Sequence, residues 1–222
     1  MKLFDDTDPA PNPRRVRLFI NEKRITNIEI VPTPITKRAH KAPEHFARNP
    51  LGQLPVLELD DGTFISESIS ICRFLEELHP ERPLFGNSAR DRAHIDMWLR
   101  RVEFRLMLPL GQVWIHTHPF TAAVATQGFG KQFTDFGEVN RKVFASASRV
   151  FDEQLSTTEF IAGANYSIAD IAMQTTVDFA RFVGVDIAPE YAHLQSWYKR
   201  VSARPGATFN VPEHLMAIAR QK

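Results

Sequence analysis

A single cysteine, Cys72, stands in a chain of 222 residues, so no intramolecular disulfide can close and no cysteine-rich metal cluster can be assembled. Such a chain suits a reducing compartment, and the cytoplasm is the expectation. An excess of one charge is also lacking. Lys and Arg number 27 against 26 Asp and Glu, a formal net charge of +1, which gives no general pull toward nucleic acid or an anionic membrane. Apolar runs extend only a few residues, so no membrane span is predicted. Met1 leads almost at once into Leu3-Phe4, without the basic and apolar regions of a signal peptide. Tyrosine is scarce: Tyr166, Tyr191 and Tyr198 are the only three, all in the second half. Repeats and low-complexity segments are missing. Hydrophobic residues make up 43% and charged residues 24% of the chain, the composition of a globular protein long enough for a substantial core.

The two halves follow different patterns. In residues 1–79, Lys2–Phe4 reads as a strand, and Val16–Lys23 as a helix that Pro13 opens. Ile28–Val31 alternates as a second strand. Val56–Leu59 and Thr63–Ile65 flank Asp60-Asp61-Gly62 as a hairpin. A helix over Ser68–His79 carries Ile69, Cys72, Leu75 and Leu78 on one face, which predicts a buried, inert Cys72 thiol. The order βαβ, loop, ββα predicts a small α/β domain with a mixed sheet. The prolines of His79-Pro80-Glu81-Arg82-Pro83 mark a linker over residues 80–88. From residue 89 to 222 the pattern is helical. Ile95, Leu99, Val102 and Leu106 form one stripe, and Val139, Val143, Ala147, Val150 and Phe151 another. Ser167-Ile168-Ala169-Asp170 has the spacing of a capping box, and Leu194, Trp197, Tyr198 and Val201 mark a helix ended by Arg204-Pro205-Gly206.

The richest stretch runs from His40 to Leu57 and includes Asn49-Pro50-Leu51-Gly52-Gln53-Leu54-Pro55-Val56, followed by Ile65-Ser66-Glu67-Ser68. In this order the residues resemble the glutathione transferase family, and with the helical second half the resemblance covers nearly the whole chain. It implies a thioredoxin-like α/β domain followed by a helical bundle of the family type, with glutathione as co-substrate and no metal. It also implies a cis bond before Pro55, with Leu54 offering its backbone to glutathione as an added strand would. The N-terminus of the helix at Glu67-Ser68 would take the γ-glutamyl end: Ser68 its carboxylate, Glu67 its ammonium. His40, Lys41 and Gln53 match the positions that hold the glycine end in plant-type relatives. Each has a plainer alternative: a cap for Ser68, a solvated loop for His40 and Lys41, and a turn for Gln53.

The sequence departs from the family at the sulfur. Members place a Tyr, Ser or Cys near the start of the first helix, whereas alignment on Arg14-Arg15-Val16 puts Ala10 there. Asn12 stands two residues on, and some bacterial relatives associated with disulfide reduction have a Thr-Pro-Asn run here with asparagine facing the sulfur. Asn12 is therefore either the amide that stabilises the glutathione thiolate or an N-cap ahead of Pro13, and both roles can coexist. Met107, Trp114 and Phe120 are candidate walls for an apolar second substrate, or core. His116 and His118 lack a third ligand and do not read as a metal pair. The leading expectation is a homodimeric enzyme that directs bound glutathione thiolate at an electrophile or disulfide. A disulfide reductase or peroxidase activity, or a non-catalytic glutathione-binding carrier, is the alternative.

Overall fold

The computed structural model describes residues 1–7 and 9–219. The first third of the chain forms β1 (Lys2–Asp5), α1 (Pro11–Lys23), β2 (Glu29–Pro32), α2 (Pro43–Arg48), β3 (Val56–Glu58), β4 (Phe64–Ser66) and α3 (Ser68–Leu78). The strands lie in the order β2-β1-β3-β4. β1 runs parallel to β2 with Leu3 opposite Ile30, and antiparallel to β3 with Leu3 opposite Leu57. The β1–α1–β2 crossover and the β3–β4 hairpin thus meet on β1, as the sequence order predicts. This is the thioredoxin-like arrangement. α1 and α3 lay Val16, Phe19, Ile71 and Leu75 over the buried Leu3 and Leu57.

The remainder is helical: α4 (Ala89–Val102), α5 (Leu108–Thr117), α6 (Ala122–Phe129), α7 (Thr134–Leu155), α8 (Ile168–Phe182), α9 (Ala192–Ser202) and α10 (Glu213–Ala219). The expected second part runs to residue 222, whose last three positions lie outside the described residues. α4 continues into α5 through a π-turn at Glu103–Met107, where the Leu108 N–H bonds back to the Glu103 carbonyl. Pro109 follows directly and cannot donate, so a regular ladder could not continue through this point. Gly137 lets α7 approach the end of α5 closely: a Cβ there would lie 2.4 Å from Thr117 Cγ2. No helix among the described residues is long and apolar enough to cross a membrane.

The structure corrects three details. α1 begins at Pro11, not Pro13, so Asn12 is the second helical residue and Ala10 the cap; the N-cap role for Asn12 is overturned. Val139, Val143 and Val150 of α7 are exposed, and the buried stripe is Phe144, Ser148, Phe151 and Leu155. Leu78, expected on the inner face of α3, is exposed as well. Cys72 is buried as expected, and burial pushes its thiol far above the ordinary range.

Candidate functional site

The loop between α2 and β3 is tied down from several sides. Gly52 takes a positive φ of 57° and its N–H closes a turn on the Asn49 carbonyl at 2.8 Å. The Asn49 side chain accepts from the Leu51 N–H (3.1 Å) and donates to the Gln53 carbonyl (3.0 Å), which His45 Nε2 also contacts at 3.0 Å. These bonds occupy the backbone up to Gln53 and stop there. Leu54 follows, joined to Pro55 by a cis bond, and its N–H and C=O have no partner among the described residues.

The start of α1 faces this loop. Two of its first three residues are prolines without an N–H, and the Arg14 N–H bonds the Ala10 carbonyl at 3.2 Å. Asn12 therefore supplies the one free backbone N–H of the first turn, beside its own side-chain amide, at the positive end of the helix. A cavity of about 480 Å³ opens here. It brings Ala10, Asn12, His40, Lys41, Gln53 and Leu54 together with Met107, Trp114 and Phe120. Phe179, Phe182 and Leu215 complete its apolar side, with Trp114 edge-on to Phe179 at 5.7 Å between ring centres. A larger cavity of about 800 Å³, lined by residues including Glu22, Arg82, Tyr166 and Arg204, contains none of the expected site residues.

Pro55, Glu67 and Ser68 do not line the 480 Å³ cavity. Ser68 is buried at the N-terminus of α3, where its hydroxyl accepts from Arg15 Nη1 at 3.0 Å. Glu67 precedes it with φ 68°, a left-handed conformation rare for a residue with a Cβ and held here by the turn into the helix. Arg15 is 2% exposed; Glu103 of the π-turn stands 3.6 Å from its Nη1, and its Nε and Nη2 have no hydrogen-bond partner. Burial lowers the Arg15 pKa, and Glu103 opposes that shift. A buried guanidinium with two unused donors is costly unless an anion completes its surroundings.

Lys41 is more committed than a solvated lysine would be, since its ammonium donates to the Gly52 (2.9 Å) and Leu51 (3.3 Å) carbonyls. Burial, and then the charge of Lys41, lower the His40 pKa, and the His40 Nδ1 has no partner. His116 and His118 each accept a backbone N–H through Nδ1, from Phe133 (3.3 Å) and Phe120 (3.2 Å), which ties both to loop geometry.

The comparisons with known proteins agree with this architecture. Residues 10–78 match the family described as glutathione S-transferase, N-terminal domain, and residues 116–205 the corresponding C-terminal domain. The chain belongs to the glutathione S-transferase family. It is 32% identical over 209 residues to glutathione S-transferase 2 of Saccharomyces cerevisiae, covering 91% of this chain and 86% of that one. Among solved structures, a glutathione S-transferase domain-containing protein of Marinobacter aquaeolei is 35% identical with a TM-score of 0.85, covering 94% of this chain and all of that one. Gtt2 from Saccharomyces cerevisiae gives 30% identity and a TM-score of 0.85 over 97% of this chain and all of its own.

No local sequence pattern assigns a role to Arg15, Glu103, Phe179, Phe182 or Leu215. Arg15 did carry a signal: it sits beside Val16 on the apolar side of α1, where a charge needs a partner. The others are brought to the site by the packing of distant helices.

Proposed function

We propose that the chain is a glutathione-dependent transferase whose residues 1–79 hold glutathione and whose helical part, residues 89–222 beyond an 80–88 linker, supplies the pocket for the second substrate. The observation that carries this is the 480 Å³ cavity, where the polar residues of the first part face Met107, Trp114 and Phe120 of the second. In this proposal the unpaired Leu54 backbone groups take the cysteinyl unit of glutathione, with Pro55 fixing the strand behind them. Ser68 and Glu67 take the γ-glutamyl end, backed by the charge of Arg15. His40, Lys41 and Gln53 flank the glycine end.

Asn12 stabilises the sulfur as thiolate. Its free backbone N–H, its side-chain amide and the positive end of the helix lie at this cavity, and such surroundings depress thiol pKa values. Asn12 cannot act as a base; bound glutathione would reach the thiolate form by losing its proton to solvent. The thiolate then attacks an electrophilic carbon or a disulfide sulfur, displacing a leaving group or a thiolate. Changing Asn12 to Ala should raise the pKa of bound glutathione by roughly one to two units, the equivalent of one charge-assisted bond of about 1.5–3 kcal/mol. Glutathione affinity should hardly change. Thiolate absorbance against pH in both proteins checks this, and an unaltered pKa would remove Asn12 from the chemistry.

The absence of a hydroxyl at Ala10 favours a second function, a non-catalytic glutathione-binding carrier. Turnover of an aryl halide and of a small disulfide, measured side by side, separates conjugation, disulfide reduction and simple binding. Glutathione binding without either turnover would leave only the carrier.

A homodimer in the cytoplasm is part of the same proposal. Phe104 and Leu108, on the π-turn and α5, and Val139, Val143 and Val150 on α7 are exposed apolar side chains on two adjoining helices, a concentration that a soluble monomer rarely leaves uncovered. Light scattering should give twice the 25.3 kDa chain mass, and paired Phe104→Asp and Val143→Asp changes should return it to the monomer value. A monomeric wild type at micromolar concentration would overturn the dimer.

A further inference from the structure

The 480 Å³ cavity has a neighbour. A second cavity of about 550 Å³ lies between the outer strand β2 and the C-terminal segment, and both are lined by Asp6, Thr7, Thr36 and Leu215. Asp6 belongs to a fixed rim, for its carboxylate accepts the Thr7 and Ile35 N–H groups, each at 2.8 Å. Among the described residues, Leu215 is the one large apolar side chain of the shared wall, and it is 8% exposed. The far cavity is bounded by Ile30, Pro32, Pro34 and Pro212, with the Asp5–Arg17 ion pair (2.9 Å) at its polar end.

The position of Leu215 depends on a short chain of contacts. Arg14 Nε donates to buried Asp178 at 2.9 Å. The same guanidinium donates to the Ala207 (2.6 Å) and Thr208 (3.1 Å) carbonyls and stacks over the Phe209 ring at 5.0 Å. The segment leaving α9 is thus clasped to α1 directly behind Asn12. α10 begins four residues after Phe209, with the Leu215 and Met216 N–H groups on the Pro212 carbonyl at 2.9 and 3.1 Å. A helix of seven residues has little stability of its own. Met216 packs against the core and Leu215 is buried, and these two side chains are what seat it.

We propose that the second cavity extends the second-substrate site, that it takes the unbranched apolar chain of a long electrophile, and that Leu215 is the partition setting how long that chain can be. This rests on the assignment of the first cavity to glutathione and its second substrate. The volumes support it: the first cavity must hold the reacting end of glutathione as well as the electrophile, and the second roughly doubles the space. Leu215 stands with Asp6, Thr7 and Thr36 in the wall common to both cavities, so a chain passing from the first to the second crosses that wall.

S-alkyl glutathiones from methyl to decyl test this by calorimetry, without requiring turnover. In the wild type, affinity should rise about fourfold per added methylene, the equivalent of ~0.8 kcal/mol, until the alkyl chain meets Leu215, and then level off. Leu215→Ala removes three carbons of wall and should let the rise continue for roughly three further methylenes. Leu215→Trp should end the rise earlier, and it guards against an Ala variant that merely unseats α10. S-methylglutathione should bind all three proteins equally. A break at the same chain length in all three, or an unbroken rise in the wild type, would overturn the partition while leaving the glutathione site intact. Failure of S-methylglutathione to bind the wild type would instead remove the glutathione site itself, and the extension with it.

Discussion

Replacing Ser68 with alanine should weaken glutathione binding about 10- to 150-fold, the equivalent of one charge-assisted hydrogen bond of about 1.5–3 kcal/mol. Arg15 Nη1 donates to the Ser68 oxygen, so the hydroxyl proton is left to point at a ligand carboxylate. Around it are the N-terminus of α3 and a buried guanidinium with two unused donors. The loss therefore falls on a site where positive charge is neither solvated nor screened. Lys41→Ala should cost only a few fold, because its ammonium is exposed and already shared between two carbonyls. Calorimetry on the three proteins decides the ranking. Equal affinities for the wild type and Ser68→Ala, or a larger loss from Lys41→Ala, would place the γ-glutamyl end elsewhere.

The largest effect on stability is expected at Asp170. Its carboxylate is fully buried and accepts the Ser167 N–H (3.0 Å) and hydroxyl (2.9 Å), the Ile161 N–H (2.9 Å) and the Trp197 indole N–H (2.9 Å). One side chain thus joins the start of α8, the loop before it and α9. Burial raises its pKa and the four donors oppose that rise. Asp170→Ala strands at least two buried donors, at about 1–3 kcal/mol each, and loses a cap of about 1 kcal/mol. A total of about 3–7 kcal/mol is a large share of the 5–15 kcal/mol typical of a domain, and should lower the melting temperature by roughly 6–28 °C. Thermal melts followed by circular dichroism would contradict this with a shift under roughly 3 °C.

The capping box at Ser167 was legible because it depends on residues three positions apart, and the hairpin around Gly62 for the same reason. The stripe on α7 was misread by one position. Val139, Val143 and Val150 look like a core face, whereas the face that packs toward α5 is chosen by where Gly137 permits close approach. Asn12 illustrates a local rule overridden by a neighbour: Asn before Pro reads as a cap, yet Pro11 starts the helix two residues earlier and moves Asn12 inside it. At the site, the run from Asn49 to Pro55 was legible through the order of its residues, which resembles the family, and not through any local periodicity. The meeting of Arg15 with Glu103 joins residues far apart in the chain, as does the cavity that Leu215 lines with Phe179 and Phe182, and no single-sequence pattern records such arrangements.

The most direct test of the glutathione site is a crystal structure of the chain with glutathione bound. The tripeptide should pair through its cysteinyl backbone with Leu54 and place its γ-glutamyl carboxylate at Ser68 and the N-terminus of α3. Its sulfur should lie within hydrogen-bond reach of the Asn12 amide or backbone N–H, facing the side of the cavity formed by Met107, Trp114 and Phe120. Density that takes the cysteinyl unit away from Leu54, or turns its sulfur away from the start of α1, would contradict the account.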